Sequence, residues 1–335
     1  MDAVSISDQL TIDVIVNVYN EEKNVDAFTK SLLKQTYQNF RLLIVDDGST
    51  DQTVSKFRNY SHRLNLEVIE LPHIGLRGAR AVAVDTVQAD LFIVFDADQI
   101  IVPFAIERLI ESFSDPEVGA VTGYKISQGD TWSERGQRVI ALAAFQAING
   151  KEGKADQLSG GCFACRTKAI RDLGGFAAHD KYAEDAEISW RLQKAGWKTI
   201  ARSDVYVYHQ DPVGSWEMIK WGWRMGWLGV HTRLAYPEKF LKPHLLIRFG
   251  PLFLAVFALF WPMFAIVGLT VSFPLFLVQV RKVEKPLLDK LYAWFVFLLK
   301  SFGWSLAFLR VLAEYTVDRI RGKNDVNRPG SKVLT

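Results

Sequence analysis

Apolar residues fall into three regimes along the chain. Up to about residue 210, short unbroken apolar runs alternate with amphipathic stretches. The runs are Ile12–Val18 (broken by Asp13 and Asn17), Leu42–Val45, Leu66–Leu71 (broken by Glu67 and Glu70) and Leu91–Phe95. Val, Ile, Leu and Phe in succession are the mark of strands buried on both faces. Val25, Phe28, Leu32 and Leu33 recur at helical spacing after the first run, and Gly75–Arg80 opens a helix reaching about Val87. Strand, turn, helix, strand at this spacing predicts βαβ units, a parallel sheet and right-handed crossovers. Further on, the pattern predicts helices near Phe104–Phe113, Trp132–Ile148, Arg166–Leu173 and Ala186–Ala195. Strands are expected near Val118–Tyr124 and Val205–His209, with a glycine loop at Ser159-Gly160-Gly161.

The second regime, Ser215–Arg233, sets Trp216, Trp221, Trp223 and Trp227 among Lys220, Arg224, His231 and Arg233. Tryptophan interleaved with basic residues suits a membrane interface, and a buried aromatic helix is the alternative. In the third, Phe249–Val280 carries no charged residue but holds Pro251, Pro262 and Pro274. It exceeds the roughly 20 residues one span needs, as one kinked span or two short helices hinged near Pro262. Leu291–Tyr315 is again apolar, interrupted by Lys300 and Arg310.

Charge pulls the topology two ways. Arg281, Lys282, Lys285 and Lys290 place the loop between the greasy stretches in the cytoplasm, which three membrane helices satisfy. The basic tail (Arg319, Arg321, Lys323, Arg328) then falls outside, and two spans reverse the conflict. Three are expected. The division is an α/β domain over 1–213, interface helices over 214–244, membrane helices over 245–315 and a basic tail over 316–335.

Composition narrows the classes. A chain of 335 residues suggests two parts, and 49% apolar content suits a greasy second part. A net charge of +3, scattered rather than laid along one face, does not call for nucleic acid. Met1–Thr11 is polar and acidic, so no amino-terminal signal is expected. Cys162 and Cys165 lack the partners of a zinc site and read as small buried residues in a reduced compartment.

The candidate chemistry is acidic. Asp96-Ala97-Asp98 ends the Leu91–Phe95 run, where open α/β sheets place ligands. Two carboxylates there suit a hard divalent cation with oxygen ligands, although a lone Asp-x-Asp is also an ordinary polar turn. Asp46-Asp47-Gly48-Ser49-Thr50-Asp51 follows the second run and doubles as a helix N-cap. Glu184-Asp185 opens a helix, where carboxylates also favour the dipole.

Taken in order, Val16–Glu22, Asp46–Asp51, Asp96–Asp98, Gly160-Gly161 with Arg166, and Glu184-Asp185 with Arg191 resemble glycosyltransferase family 2 over about residues 12–210. The resemblance implies a GT-A (Rossmann-like) nucleotide-sugar-binding α/β domain and an inverting, metal-dependent transfer. It implies that Tyr19 contacts base or ribose, Glu21 the ribose hydroxyls, Asp47 or Asp46 a base N–H, and Arg80 the phosphates. Asp96 and Asp98, with His209, are the implied ligands of Mn²⁺ or Mg²⁺, and Asp185, beside Glu184, the base. Beyond His209 the chain resembles the cellulose-synthase-like branch, but Lys220–Trp227 does not show its Gln-x-x-Arg-Trp signature. Arg224 and Trp227 remain as an aromatic and basic floor for an acceptor. The expectation is an integral membrane protein with a cytoplasmic catalytic domain. It moves a hexose, mannose from GDP-mannose first, to a polyprenyl- or dolichyl-phosphate or a lipid-linked glycan. UDP-glucose transfer or processive synthesis is the alternative, and an inactive membrane scaffold the second.

Overall fold

In the computed structural model, residues 10–146, 152–176, 182–236, 250 and 262–320 are described. The first four apolar runs become parallel strands: β1 (Ile12–Val18), β2 (Arg41–Asp46), β3 (Leu66–Glu70) and β4 (Leu91–Asp96). Helices α1 (Val25–Leu32), α2 (Thr53–Arg58) and α3 (Leu76–Thr86) connect them. Strand order is β3-β2-β1-β4, so the chain changes direction between β1 and β4, the crevice where such sheets bind ligands. Register sets Val18 beside Asp46 and Asn17 beside Asp96, which gathers the acidic strand ends at one rim.

The rest of the sheet departs from the all-parallel expectation. Strand β8 (Cys162–Arg166) lies antiparallel between β4 and β6 (Val118–Ser127). The short strands β5 (Gln99–Ile101) and β7 (Glu152–Lys154) both run antiparallel to β9 (Lys198–His209). The sheet is therefore mixed, with nine strands among the described residues. Gly161, at φ +77°, makes the turn that enters β8. Helices α4 (Ala105–Glu111), α5 (Trp132–Gln146), α6 (Thr167–Asp172) and α7 (Glu184–Lys194) complete the domain.

Alternate side chains fill two apolar layers, as strand geometry requires. Val14, Val16, Ile44 and Phe95 face α1 and α4, and Ile15, Val45, Phe92 and Val94 face α3, α6 and α7. Cys162 and Cys165 are free, buried and in opposite layers. Burial pushes the Cys162 thiol up to about 12, so it is inert.

The tryptophan-rich segment forms α8 (Ser215–Ala235), followed by α9 (Pro262–Gln279) and α10 (Leu287–Ile320). Among the described residues one helix, over Leu287–Val317, is long and apolar enough to cross a membrane. The earlier part of the first greasy stretch, 245–249 and 251–261, lies outside the described residues, as does the tail beyond 320. Helices α8 and α10 meet backbone to backbone. A Cβ on Gly226 would lie 2.7 Å from the Trp304 Cα, and one on Gly222 or Gly303 would strike the carbonyl of Lys300 or Ile219.

Candidate active site

Asp96 closes β4 and Asp98 sits in the turn before β5. Pairing of β5 with the end of β9 puts Gln99 opposite His209, which brings His209 Nε2 to 3.1 Å from Asp98 Oδ2. His209 Nδ1 lies 3.4 Å from Asp211. Burial works against a charged imidazole, but the hydrogen bonds to Asp211 and Asp98 outweigh it and raise His209 to about 9. Asp98 Oδ1 is buried without a hydrogen-bond partner.

Asp96 is held by two cations. Lys125 Nζ donates to its Oδ2 at 2.7 Å, and Arg80 Nη2 approaches Oδ1 at 3.4 Å. Burial would raise the Asp96 pKa, yet Lys125 and Arg80 bring it down to about 2. Lys125 has no counterpart in the sequence reading. Its signal is a charge in a β6 run that is otherwise largely buried, Val118–Ser127.

Arg80, on α3, is 3% exposed and also grips Glu184. Burial opposes its charge, and Glu184, Asp96 and Asp185 keep it protonated. Its guanidinium thus joins the end of β4 to the start of α7, rather than standing free for phosphates. Glu184 is committed to this pair. Asp185 is not: it has no ion-pair partner among the described residues and accepts N–H bonds from Ala186 and Gly160. Burial, the largest effect on Asp185, raises its pKa.

Gly160-Gly161 lies between the two acidic centres. A Cβ on Gly160 would sit 3.3 Å from Asp185 Oδ2, and one on Gly161 would fall on the Asp96 carboxylate. The pair lets both carboxylates close on the backbone from either side.

The nucleotide half is at the ends of β1 and β2. Tyr19, 44% exposed, stacks on His73 with ring centroids 4.3 Å apart. His73 was not evident from sequence, because it lies in the turn after β3. Glu21 accepts from Asn24 at 2.6 Å, and burial, with Asp98 and Asp96 nearby, raises its pKa despite that bond. Asp47 is 3% exposed, and its two carboxylate oxygens accept the backbone N–H groups of Ile74 (2.7 Å) and Gly75 (3.0 Å). That geometry makes Asp47 a brace for the loop entering α3. On α8, Arg224 is exposed, while Trp227 packs against His231 and the Val230–Trp304 seam, not the acidic cluster.

The donor set fits a divalent cation in kind: carboxylates and one imidazole suit Mn²⁺ or Mg²⁺. The partnerless Asp98 Oδ1 is the buried acceptor such an ion would satisfy. No three Asp, Glu, His or Cys side chains gather around one point among the described residues, since Lys125 holds Asp96.

Comparison with known proteins agrees with this geometry. Residues 13–174 match the model of the family described as Glycosyl transferase family 2. The chain is 28% identical over 213 residues to an N-acetylglucosaminyltransferase of Rhizobium meliloti, covering 58% of this chain and 50% of that protein. It is 28% identical over 217 residues to the O-antigen chain rhamnosyltransferase RfbN of Salmonella typhimurium, covering 60% and 66%. The matches thus span half to two thirds of these relatives. In fold, it is similar to the mannosyltransferase PcManGT from Pyrobaculum calidifontis, solved with GDP-Man and Mn²⁺. There the TM-score is 0.61 at 18% identity, over 92% of this chain and 89% of that one. Over residues 13–174 the chain thus matches glycosyl transferase family 2, and its mixed sheet with a helical carboxyl-terminal region is GT-A-like, similar in fold to that mannosyltransferase.

Proposed function

We propose that the chain is an inverting glycosyltransferase moving a hexose from a nucleotide sugar to a lipid-linked acceptor at a membrane surface. One observation carries the reading. Of the two acids that open α7, Glu184 is held by Arg80, whereas Asp185 has no ion-pair partner among the described residues and faces Asp96 across Gly160-Gly161. An inverting displacement needs such a carboxylate to accept the proton of the incoming hydroxyl opposite the leaving group.

Tyr19 with His73 offers a stacking platform to the base, and Glu21 accepts from ribose. Asp98 and His209, with Asp96, would hold a divalent cation, which when bound would supply positive charge to the departing diphosphate. Lys125 and Arg80 keep Asp96 ionised in its buried place. Glu184 anchors Arg80 and so fixes the start of α7. If the acceptor is a lipid phosphate, already ionised near neutral pH with a second pKa of about 6, Asp185 orients it instead of deprotonating it.

Mannose from GDP-mannose is the donor to test first and UDP-glucose second, with a polyprenyl- or dolichyl-phosphate or a lipid-linked glycan as acceptor. The aromatic and basic α8 and the apolar α9 and α10 support the lipid side of the reading. The test is a panel of radiolabelled GDP- and UDP-sugars with membranes and Mn²⁺, followed by lipid extraction. Label in the organic phase from the wild type and none from Asp185→Asn or Asp98→Asn is the expected result. Equal label from all three chains refutes it.

A further inference from the structure

Helix α10 spans 34 residues, about 51 Å at the helical rise, long enough to cross a bilayer. Its amino-terminal end lies against α5 of the α/β domain, and its carboxyl-terminal end lies against α8. At the amino-terminal end, Asp289 pairs with Arg135 of α5, the tilted rings of Trp132 and Phe295 meet at 5.4 Å, and Gly136 lies against the Tyr292 backbone. At the carboxyl-terminal end, Val311 packs with Val230 and Trp304, and Glu314 lies 4.0 Å from His231 of α8.

Helix α8 is itself tied down at both ends. Ser133 of α5 accepts the Gly214 N–H at 3.4 Å. At the far end Thr232 accepts the Ala183 N–H at 2.8 Å, and Tyr236 donates to the fully buried Glu187 of α7 at 2.8 Å. Because α8 and α10 run parallel, with Gly222 on Lys300 and Gly226 on Trp304, α10 follows α8 from α5 to α7. A helix crossing some 30 Å of hydrocarbon cannot keep both ends on one water-facing domain.

We infer that α10 does not span the bilayer but lies flat beneath the α/β domain, its outer face set in the surface of an anionic membrane. The inference rests on the membrane reading proposed above. The face turned to α8 is built of small or tightly seated residues: Gly303, Trp304, Ala307 and Val311. The opposite face leaves Leu291, Leu309 and Leu312 between 40% and 49% exposed. Beside it, the outer edge of α8 exposes Trp216, Lys220 and Arg224 at intervals of one turn. An apolar stripe bordered by tryptophan and basic side chains complements the acyl boundary and the anionic headgroups of a bilayer.

Two readouts test the inference on the full chain in sealed vesicles. A membrane-impermeant maleimide is applied to Glu284→Cys, just before α10, and to Thr316→Cys near its end. The native thiols, both fully buried, give a low background. Labelling of both positions from the same face is expected, and labelling from opposite faces overturns the inference. Depth-dependent quenching of a fluorophore at Leu291→Cys and Leu309→Cys is then measured in phosphatidylcholine–phosphatidylglycerol vesicles. Equal shallow depths are expected, whereas a span separates these positions by about 27 Å along its axis. Absence of quenching at both positions means that protein covers the face, which overturns the lipid assignment. A chain that stays in the soluble fraction refutes the membrane reading itself. A membrane-bound chain with ends on opposite sides refutes only the flat helix.

Discussion

Replacing Gly161 with alanine tests whether the Asp96 carboxylate is held where the reaction needs it. Gly161 sits at φ +77°, where an L side chain costs about 1–2 kcal/mol. Its new methyl would also land on the Asp96 carboxylate, which must retreat by about 1 Å or more to restore van der Waals contact. Asp96 cannot retreat freely, because Lys125, Arg80 and Gln99 hold it. Backbone strain alone lowers the melting temperature by about 1–3 °C in a chain of 335 residues. Misplacement by an ångström near reacting atoms costs about 100-fold in rate. Gly196→Ala is the control: Gly196 has φ +91°, but nothing lies within 4 Å of its added Cβ. Thermal melts and kcat/KM with a radiolabelled donor are compared for the two variants. Similar losses of melting temperature, with about 100-fold lower kcat/KM in Gly161→Ala alone, are expected. Activity within threefold of wild type in Gly161→Ala would show that Asp96 is not at the reacting centre.

Four further outcomes follow from the site. Asp185 is shifted above the usual carboxylate pKa by burial, so for a hydroxyl acceptor kcat/KM should rise with pH through that raised value and then level off. Asp185→Asn should abolish both the activity and this acid limb, and a limb that survives the substitution excludes Asp185 as its source. Asp96, depressed from 3.8 to about 2, contributes about 2 kcal/mol of stability that is present above pH 4 and lost as pH falls towards 2. Acid titration of unfolding should be shallower there in Asp96→Asn, and identical curves would contradict the pairing with Lys125. Asp47→Ala leaves the Ile74 and Gly75 N–H groups without their acceptor and should cost about 2–4 kcal/mol by denaturant melt. A loss below 0.5 kcal/mol refutes the brace. Chelation with EDTA should remove activity and Mn²⁺ should restore it, with activity undiminished by EDTA as the contrary result.

The amino-terminal sheet was legible because its strands are largely apolar runs, and those of β1, β2 and β4 lead into the acids that the crevice collects. The strand at Cys162–Arg166 was not legible, since five residues beside a glycine loop do not reveal the antiparallel partner they find. Asp96, Asp98, Glu184, Asp185 and Arg80 could be picked from motif order; the contacts join Asp96 and Glu184 through Arg80, with Lys125 also on Asp96, pair Asp98 with His209, and leave Asp185 beside them across Gly160. What the order of motifs could not say is how roles divide within a pair. Glu184 and Asp185 look alike in sequence, and only the position of Arg80 tells the anchored acid from the free one. Lys125 and His73 escaped for a different reason: neither sits in a motif, and each is brought to the rim by a strand or turn whose register is a tertiary property. The apolar carboxyl-terminal helix illustrates the same limit, because length and hydropathy state that a helix is able to cross a bilayer but not what its ends touch.

The glycine seam between α8 and α10 sets a working distance. With no side chain between the two backbones at Gly222, Gly226 and Gly303, the pair behaves as one thin plate, fastened to α5 at one edge and α7 at the other. The thickness of that plate fixes how far Asp185 stands above whatever lies below it. A bulkier residue at any of the three positions would act as a shim, parting α8 from α10 while leaving every group inside the cleft untouched.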